Sequence, residues 1–171
     1  MIAHYELQGN VLRGIDAWSR VWEAVDFWAG VPWPVSRADA QRMAVDRLGW
    51  AIEVEDGLGF LVNPAFTPPG VTMSGIDTVS FVRFRIADVV TEETPATRAF
   101  LGDLFTPAVR EGAARLGRPS IRRDRGRTDT TWEMGPAPVT ITLSSWSVVV
   151  RFHAQTEGFC RRLRERLMRE L

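Results

Sequence analysis

The spacing of apolar residues changes sharply at Gly49-Trp50, and few folds accommodate what stands on either side. Ahead of it, Ile15, Trp18, Trp22, Val25 and Ala29 recur at helical spacing, with Val21 and Trp28 widening the stripe and Asp16, Ser19, Glu23 and Asp26 opposite. That pattern predicts an amphipathic helix over 15–29, stopped by Val31-Pro32-Trp33-Pro34. Ser36 opens a second helix: its hydroxyl can cap the amide near Asp39, and Asp39 adds negative charge to the first turn. Ala40, Met43, Ala44 and Leu48 form its stripe, and Gly49 suits a left-handed end. Beyond that glycine the period is two. Trp50, Ile52 and Val54 alternate with Ala51, Glu53 and Glu55, which predicts a strand with one wet face. Asp56-Gly57 is a hairpin turn signal, so Leu58–Val62 returns beside it.

The same two periods alternate through the rest of the chain. Residues 63–70 hold three prolines and form a loop. Residues 78–86 predict a strand with Val82, Phe84 and Ile86 on one face and Phe81, Arg83 and Arg85 on the other. Thr94-Pro95 opens a further helix with proline where its missing donor costs nothing. Thr106-Pro107 repeats that start signal, so a kink or two short helices are expected before Gly117. Residues 118–130 are polar and expected to be a loop. Strands are expected at 131–134, 139–143 and 146–153, the last two joined through Ser144-Ser145, and a final helix from about 156 to the end carries Phe159, Leu163 and Leu167.

The expected order is therefore α-α-β-β-β-α-β-β-β-α. Clean in/out alternation with tight turns implies antiparallel sheet, so the fold class is α+β with helices packed on one face. A chain of 171 residues buries about 70% of its unfolded surface, enough for one core without staples, and 1–171 is expected to be a single domain.

Charge excludes more than it assigns. The formal net charge is zero, but residues 1–60 carry five Arg against nine acids while residues 101–171 carry thirteen against eight. The overall basic excess usual for nucleic-acid binders is missing, so no nucleic-acid partner is expected. The lone Cys160 cannot form an internal disulfide, which fits a reducing compartment. The first ten residues lack a basic flank followed by an apolar core, and no apolar run approaches the ~20 residues of a membrane span. The expectation is a cytoplasmic protein with no membrane partner.

Residues that do chemistry are sparse. His4 and His153 show no metal-ligand spacing with each other or with Cys160, so neither a metal nor another cofactor is expected. Cys160 follows His153 by seven residues, near enough for a thiol–imidazole pair, yet it borders an apolar stripe where a free cysteine is usually a small core group. Gly57-Leu58-Gly59 is too short for a phosphate loop. The expectation is a protein that is not an enzyme.

Surface recognition is better supplied. Residues 118–127 carry five Arg against one Asp without interleaved aromatics, which reads as a solvated loop or as half of an electrostatic interface with an acidic protein, through Arg122, Arg123 and Arg125. Glu53, Glu55 and Asp56 make an acidic hairpin edge. Trp33 lies between two prolines, and Phe66 sits in the proline-rich loop. Rigid aromatics of this kind are either contact hot spots or lids folded back on the core.

Val25-Asp26-Phe27-Trp28, Trp33-Pro34-Val35-Ser36 and Arg47-Leu48-Gly49-Trp50 together resemble the progression of an uncharacterised actinobacterial domain-of-unknown-function family. These motifs end a helix, cap a helix and turn a helix into a strand, so the resemblance carries fold and no catalytic residue. Small lone-domain proteins of this kind resemble the immunity partners of polymorphic secreted toxins, including one that inhibits an NAD glycohydrolase. The family resemblance itself implies no activity; the likeness in size and kind to immunity partners leads to the expectation of a cytoplasmic antitoxin, monomeric or in a heterodimer with its cognate toxin, that occludes the toxin's active site. A secretion chaperone holding an extended segment along a sheet edge is the second reading, and a small hydrolase or ligand-binding module the third.

Overall fold

The structure, a computed structural model, describes residues 2–7, 10–15, 18–75, 77–134 and 137–153. The expected last helix and Cys160 lie outside the described residues, as does the side chain of Trp18.

The fold is α+β. A hairpin of β1 (Ile2–Leu7) and β2 (Asn10–Ile15) precedes helices α1 (Trp18–Ala29) and α2 (Arg37–Leu48). A second hairpin, β3 (Ala51–Glu55) and β4 (Leu58–Val62), follows, then β5 (Thr72–Ser74) and β6 (Phe81–Arg85). The long helix α3 (Pro95–Leu116) leads into β7 (Ser120–Asp124), β8 (Arg127–Trp132), β9 (Val139–Leu143) and β10 (Val148–His153). Six of these strands form one antiparallel sheet in the order β5-β6-β10-β9-β8-β7, while β1–β2 and β3–β4 remain two-stranded.

The cap chemistry at α2 follows the residues. The Ser36 hydroxyl accepts from the Asp39 amide at 3.1 Å, and Gly49 closes the helix in the left-handed region at φ 67°. Alternation likewise sorts the six-stranded sheet. Val82, Phe84, Val139, Ile141, Val148, Val150 and Phe152 are buried beneath the helices, with α3 packed across β8, β9 and β10. Trp28, Trp50 and Phe84 continue this core in a chain of ring contacts, at 6.1 Å and then 5.3 Å between centroids.

Five expectations are corrected. The first helix begins at Trp18, and Ile15 instead ends β2, its amide donating to the Ile86 carbonyl at 3.0 Å. The α3 segment is one helix across Pro107. Its buried row of Phe100, Leu104, Ala108 and Gly112 runs through the proline, and packing that row intact outweighs the roughly 3 kcal/mol a helical proline costs. Residues 118–130 are not a loop: β7 and β8 form a hairpin turned by Arg125 and Gly126 at φ 46° and 78°, the same left-handed pair as Asp56 and Gly57 at 49° and 78°. Ile52 and Val54 are 42% and 73% exposed, because the core covers that face of the two-stranded hairpin only as far as Trp50 and Leu61. Trp146, the first residue of the strand expected over 146–153, is exposed in the turn before β10, which begins at Val148.

Candidate functional site

The β3–β4 hairpin is held at its root by buried side chains and beside its turn by one bond to α2, and most of its other side chains are bare. At the root, Trp50, Leu61 and Val62 are buried. One rung from the turn, Gln41, buried on α2, donates its side-chain amide to the Gly59 carbonyl at 2.8 Å. Toward the tip, Ile52, Val54, Leu58 and Phe60 are exposed beside Glu53, Glu55 and Asp56, with no basic residue between Ala51 and Val62. Exposed aliphatic and aromatic groups gathered on one projecting element mark an interaction surface more than scattered ones do. The acidic edge is legible in the sequence, whereas alternation puts Ile52 and Val54 on the dry face of the strand.

The two loop aromatics are lids. Phe66 is 5% exposed, so it is not available as a surface contact without rearrangement of its loop. Trp33 is half-buried and stacks on Phe152 at 5.8 Å, with its indole N–H donating to the Trp28 carbonyl at 2.8 Å. Trp33 closes over an apolar neighbour because burying that area gains more than presenting it to water.

Arg122, Arg123 and Arg125 are exposed on the β7–β8 hairpin, at the outer edge of the large sheet. Arg122 lies on the face opposite the helices, in register with Asp129. That face also collects Arg83 and Arg85 from β6, Arg127 from β8 and Arg151 from β10. Burial and then the charge of Arg83 hold the Arg85 guanidinium below the ordinary arginine range. Asp129 accepts from Arg127 at 2.9 Å and from the Thr142 hydroxyl at 2.6 Å; despite the opposing effect of burial, these bonds hold its carboxyl below the usual range. The sequence showed these arginines only one strand at a time.

A cleft of about 620 Å³ lies between α1, the end of α2 and residues 63–66, with Trp50, Phe66 and Phe84 in its lining and Glu23 and Arg47 exposed there. Among the described residues no three His, Cys, Asp or Glu side chains group as metal ligands, and no helix is long and apolar enough to cross a membrane.

The molecule is thus an α+β protein with an acidic, partly apolar hairpin and an arginine-bearing sheet face. Residues 19–154 match the model of a family of unknown function (DUF6301), and the chain belongs to that family. No curated protein and no solved structure matches it.

Proposed function

We propose that this is a cytoplasmic immunity protein that neutralises a secreted toxin by seating the β3–β4 hairpin in its active site, with no chemistry of its own. The observation that carries this reading is the hairpin: Ile52, Val54, Leu58 and Phe60 exposed beside Glu53, Glu55 and Asp56 on an element fixed by buried Leu61 and Val62 at its base and by Gln41 beside its turn. An active site that takes an anionic substrate, such as the dinucleotide of an NAD glycohydrolase, is basic and walled by apolar groups. A finger with three carboxylates and no cation is its electrostatic counterpart, and charge complementarity speeds encounter and excludes wrong partners. Tight-turn backbone keeps the ordering cost of docking low.

The test is capture from the native cell, followed by expression of the captured protein alone and together with this one. The expected result is a toxic protein silenced by co-expression. The Val54→Ala/Leu58→Ala variant should weaken binding by about 2 kcal/mol or more, roughly thirtyfold, with little change in thermal stability because both side chains are exposed. Undiminished neutralisation by that variant rules out the hairpin, and a captured protein with no toxicity rules out immunity.

One observation favours a secretion chaperone as the second reading. The outer edge of β7 pairs with no strand among the described residues, and it can accept an extended segment as a further strand. Arg122 and Arg123 on that strand discourage indiscriminate pairing. Capture of a protein through an unstructured segment, with no effect of the hairpin variant, would favour this alternative.

A further inference from the structure

The face of the six-stranded sheet away from the helices carries a charge imbalance that no ion pair among the described residues resolves. In the β6–β10 register Arg83 stands directly opposite Arg151, and two residues along the strands Phe81 stands opposite His153. Like charges in directly opposed positions destabilise a sheet. Among the described residues neither Arg83 nor Arg151 makes an ion pair. The nearby carboxylate, Asp129, is already committed to Arg127 and Thr142. Burial, and then the charges of Arg127 and Arg83, push the Arg151 guanidinium below the ordinary arginine range, and Asp129 offsets only part of this. Burial and then Arg151 also push the His153 imidazole down, which keeps its ring neutral beside the guanidiniums at neutral pH.

The neighbouring rung supplies a different chemistry. The Phe81 and His153 rings stack at 5.4 Å between centroids with 26° between their planes. His153 is exposed and Phe81 half-buried, so the pair leaves ring surface accessible one rung away from the arginines. Alternate residues of a strand lie about 7 Å apart on one face, a separation that a ribose spans between a phosphate and a base. Guanidiniums bind phosphate oxygens through paired N–H groups, and aromatic rings stack on nucleobases whatever their identity.

We propose that this face binds a nucleotide, with its phosphates between Arg83 and Arg151 and its base against the Phe81–His153 pair. The site is separate from the β3–β4 hairpin and does not rest on the immunity reading. A bound phosphate would remove the repulsion between the facing guanidiniums, so binding would stabilise the sheet as well as fill the site.

The test is calorimetric titration of the full chain with ADP, GDP, UDP, pyrophosphate and adenosine in separate runs. At least one nucleoside diphosphate is expected to saturate the protein, with pyrophosphate roughly tenfold weaker or more and adenosine showing no binding. Arg151→Ala and Arg83→Ala should each weaken nucleotide binding by about tenfold or more, with circular dichroism confirming that the fold persists. His153→Ala should bring the nucleotide down toward the affinity of pyrophosphate while leaving pyrophosphate unchanged. The proposal fails if none of the three nucleotides saturates the folded protein. It also fails if pyrophosphate binds as well as they do, which would mean a charge patch without a ring site. Tight, strongly salt-dependent binding of a single-stranded oligonucleotide, with no nucleotide binding, would overturn it in favour of a nucleic-acid surface.

Discussion

Gly112→Ala is expected to lower the stability of the protein by about 2 kcal/mol, although the same exchange at an open helix position raises it. Gly112 lies in α3 where the helix crosses two tryptophans. A Cβ placed there would run into the Trp22 ring and would come within 2.7 Å of Trp132. Neither ring can easily give way. The two meet edge to face at 5.5 Å, and each indole N–H is tied to this same region, Trp22 to the Ala108 carbonyl at 3.1 Å and Trp132 to the Gly117 carbonyl at 3.0 Å. Overpacking of a rigid core costs about 1–3 kcal/mol or more, against roughly 1 kcal/mol gained from alanine's helix preference. For a chain of this size the net loss lowers the melting temperature by roughly 4–8 °C. Gly102, in the same helix, has nothing within 4 Å of a would-be Cβ, so Gly102→Ala should leave stability unchanged or raise it by up to about 1 kcal/mol. Thermal unfolding of the two variants side by side decides the matter. If both alanines stabilise, the close approach of α3 to Trp22 and Trp132 is not what fixes the helix on the sheet.

That contact also shows where sequence reasoning reaches its limit. The α2 cap, the Gly49 stop and the Asp56-Gly57 turn are local, set by neighbours a few residues apart, and the chain forms them as its residues dictate. Gly112 carries no such local mark, because its reason for being glycine lies in Trp22, ninety residues away in the chain. The β7–β8 hairpin was missed for a subtler reason. Arg125-Gly126 turns the chain with the same dihedral pair as Asp56-Gly57, but arginine is an uncommon residue at a left-handed position, and its charged neighbours gave no alternation to read. Pro107 misled in the opposite sense. It signals a break, yet the buried row to which Leu104 and Ala108 belong overrides it.

The candidate surfaces divide in the same way. Glu53, Glu55 and Asp56 were legible together because one turn brings them to one tip. Alternation then assigned Ile52 and Val54 to a core, since a period of two says that a strand has two faces and not which of them is covered. Arg83 and Arg151 meet only because β6 pairs with β10 across more than sixty intervening residues, a strand order no local pattern encodes. Prolines around Trp33 and Phe66 leave open whether each ring is a contact or a lid; in the fold Phe66 is buried and Trp33 stacks on Phe152.

Removing the Asp88 carboxylate should cost about 3 kcal/mol and loosen one end of the molecule before the rest. Asp88 follows β6 and is 5% exposed. One carboxylate oxygen accepts the Arg13 amide at 2.7 Å and the Arg13 Nε at 3.2 Å; the other accepts the Thr67 amide at 2.6 Å and the Arg13 Nη2 at 3.3 Å. The β1–β2 hairpin, the 63–70 loop and the end of β6 are therefore joined through one side chain. Backbone bonds follow the same path, from the Asp88 amide to the Arg13 carbonyl at 2.8 Å and from the Val89 amide to the Thr67 carbonyl at 2.9 Å. In Asp88→Ala two backbone amides lose their acceptor and a guanidinium loses its counter-charge. Breaking a buried pair costs about 3–5 kcal/mol, and the lower end applies because the Arg13 side chain is one-third exposed and water can take up part of its charge. Asp88→Asn should lose less, since one carbonyl oxygen still accepts an amide while the new NH₂ opposes the Arg13 donors. Hydrogen exchange distinguishes this hub from an ordinary core contact. The amides of Tyr5, Leu12 and Thr67 should lose protection in Asp88→Ala well before those of Ile141 and Val150. Equal loss at all five would mean that the hairpin and the large sheet unfold as one unit and that Asp88 joins nothing that would otherwise separate.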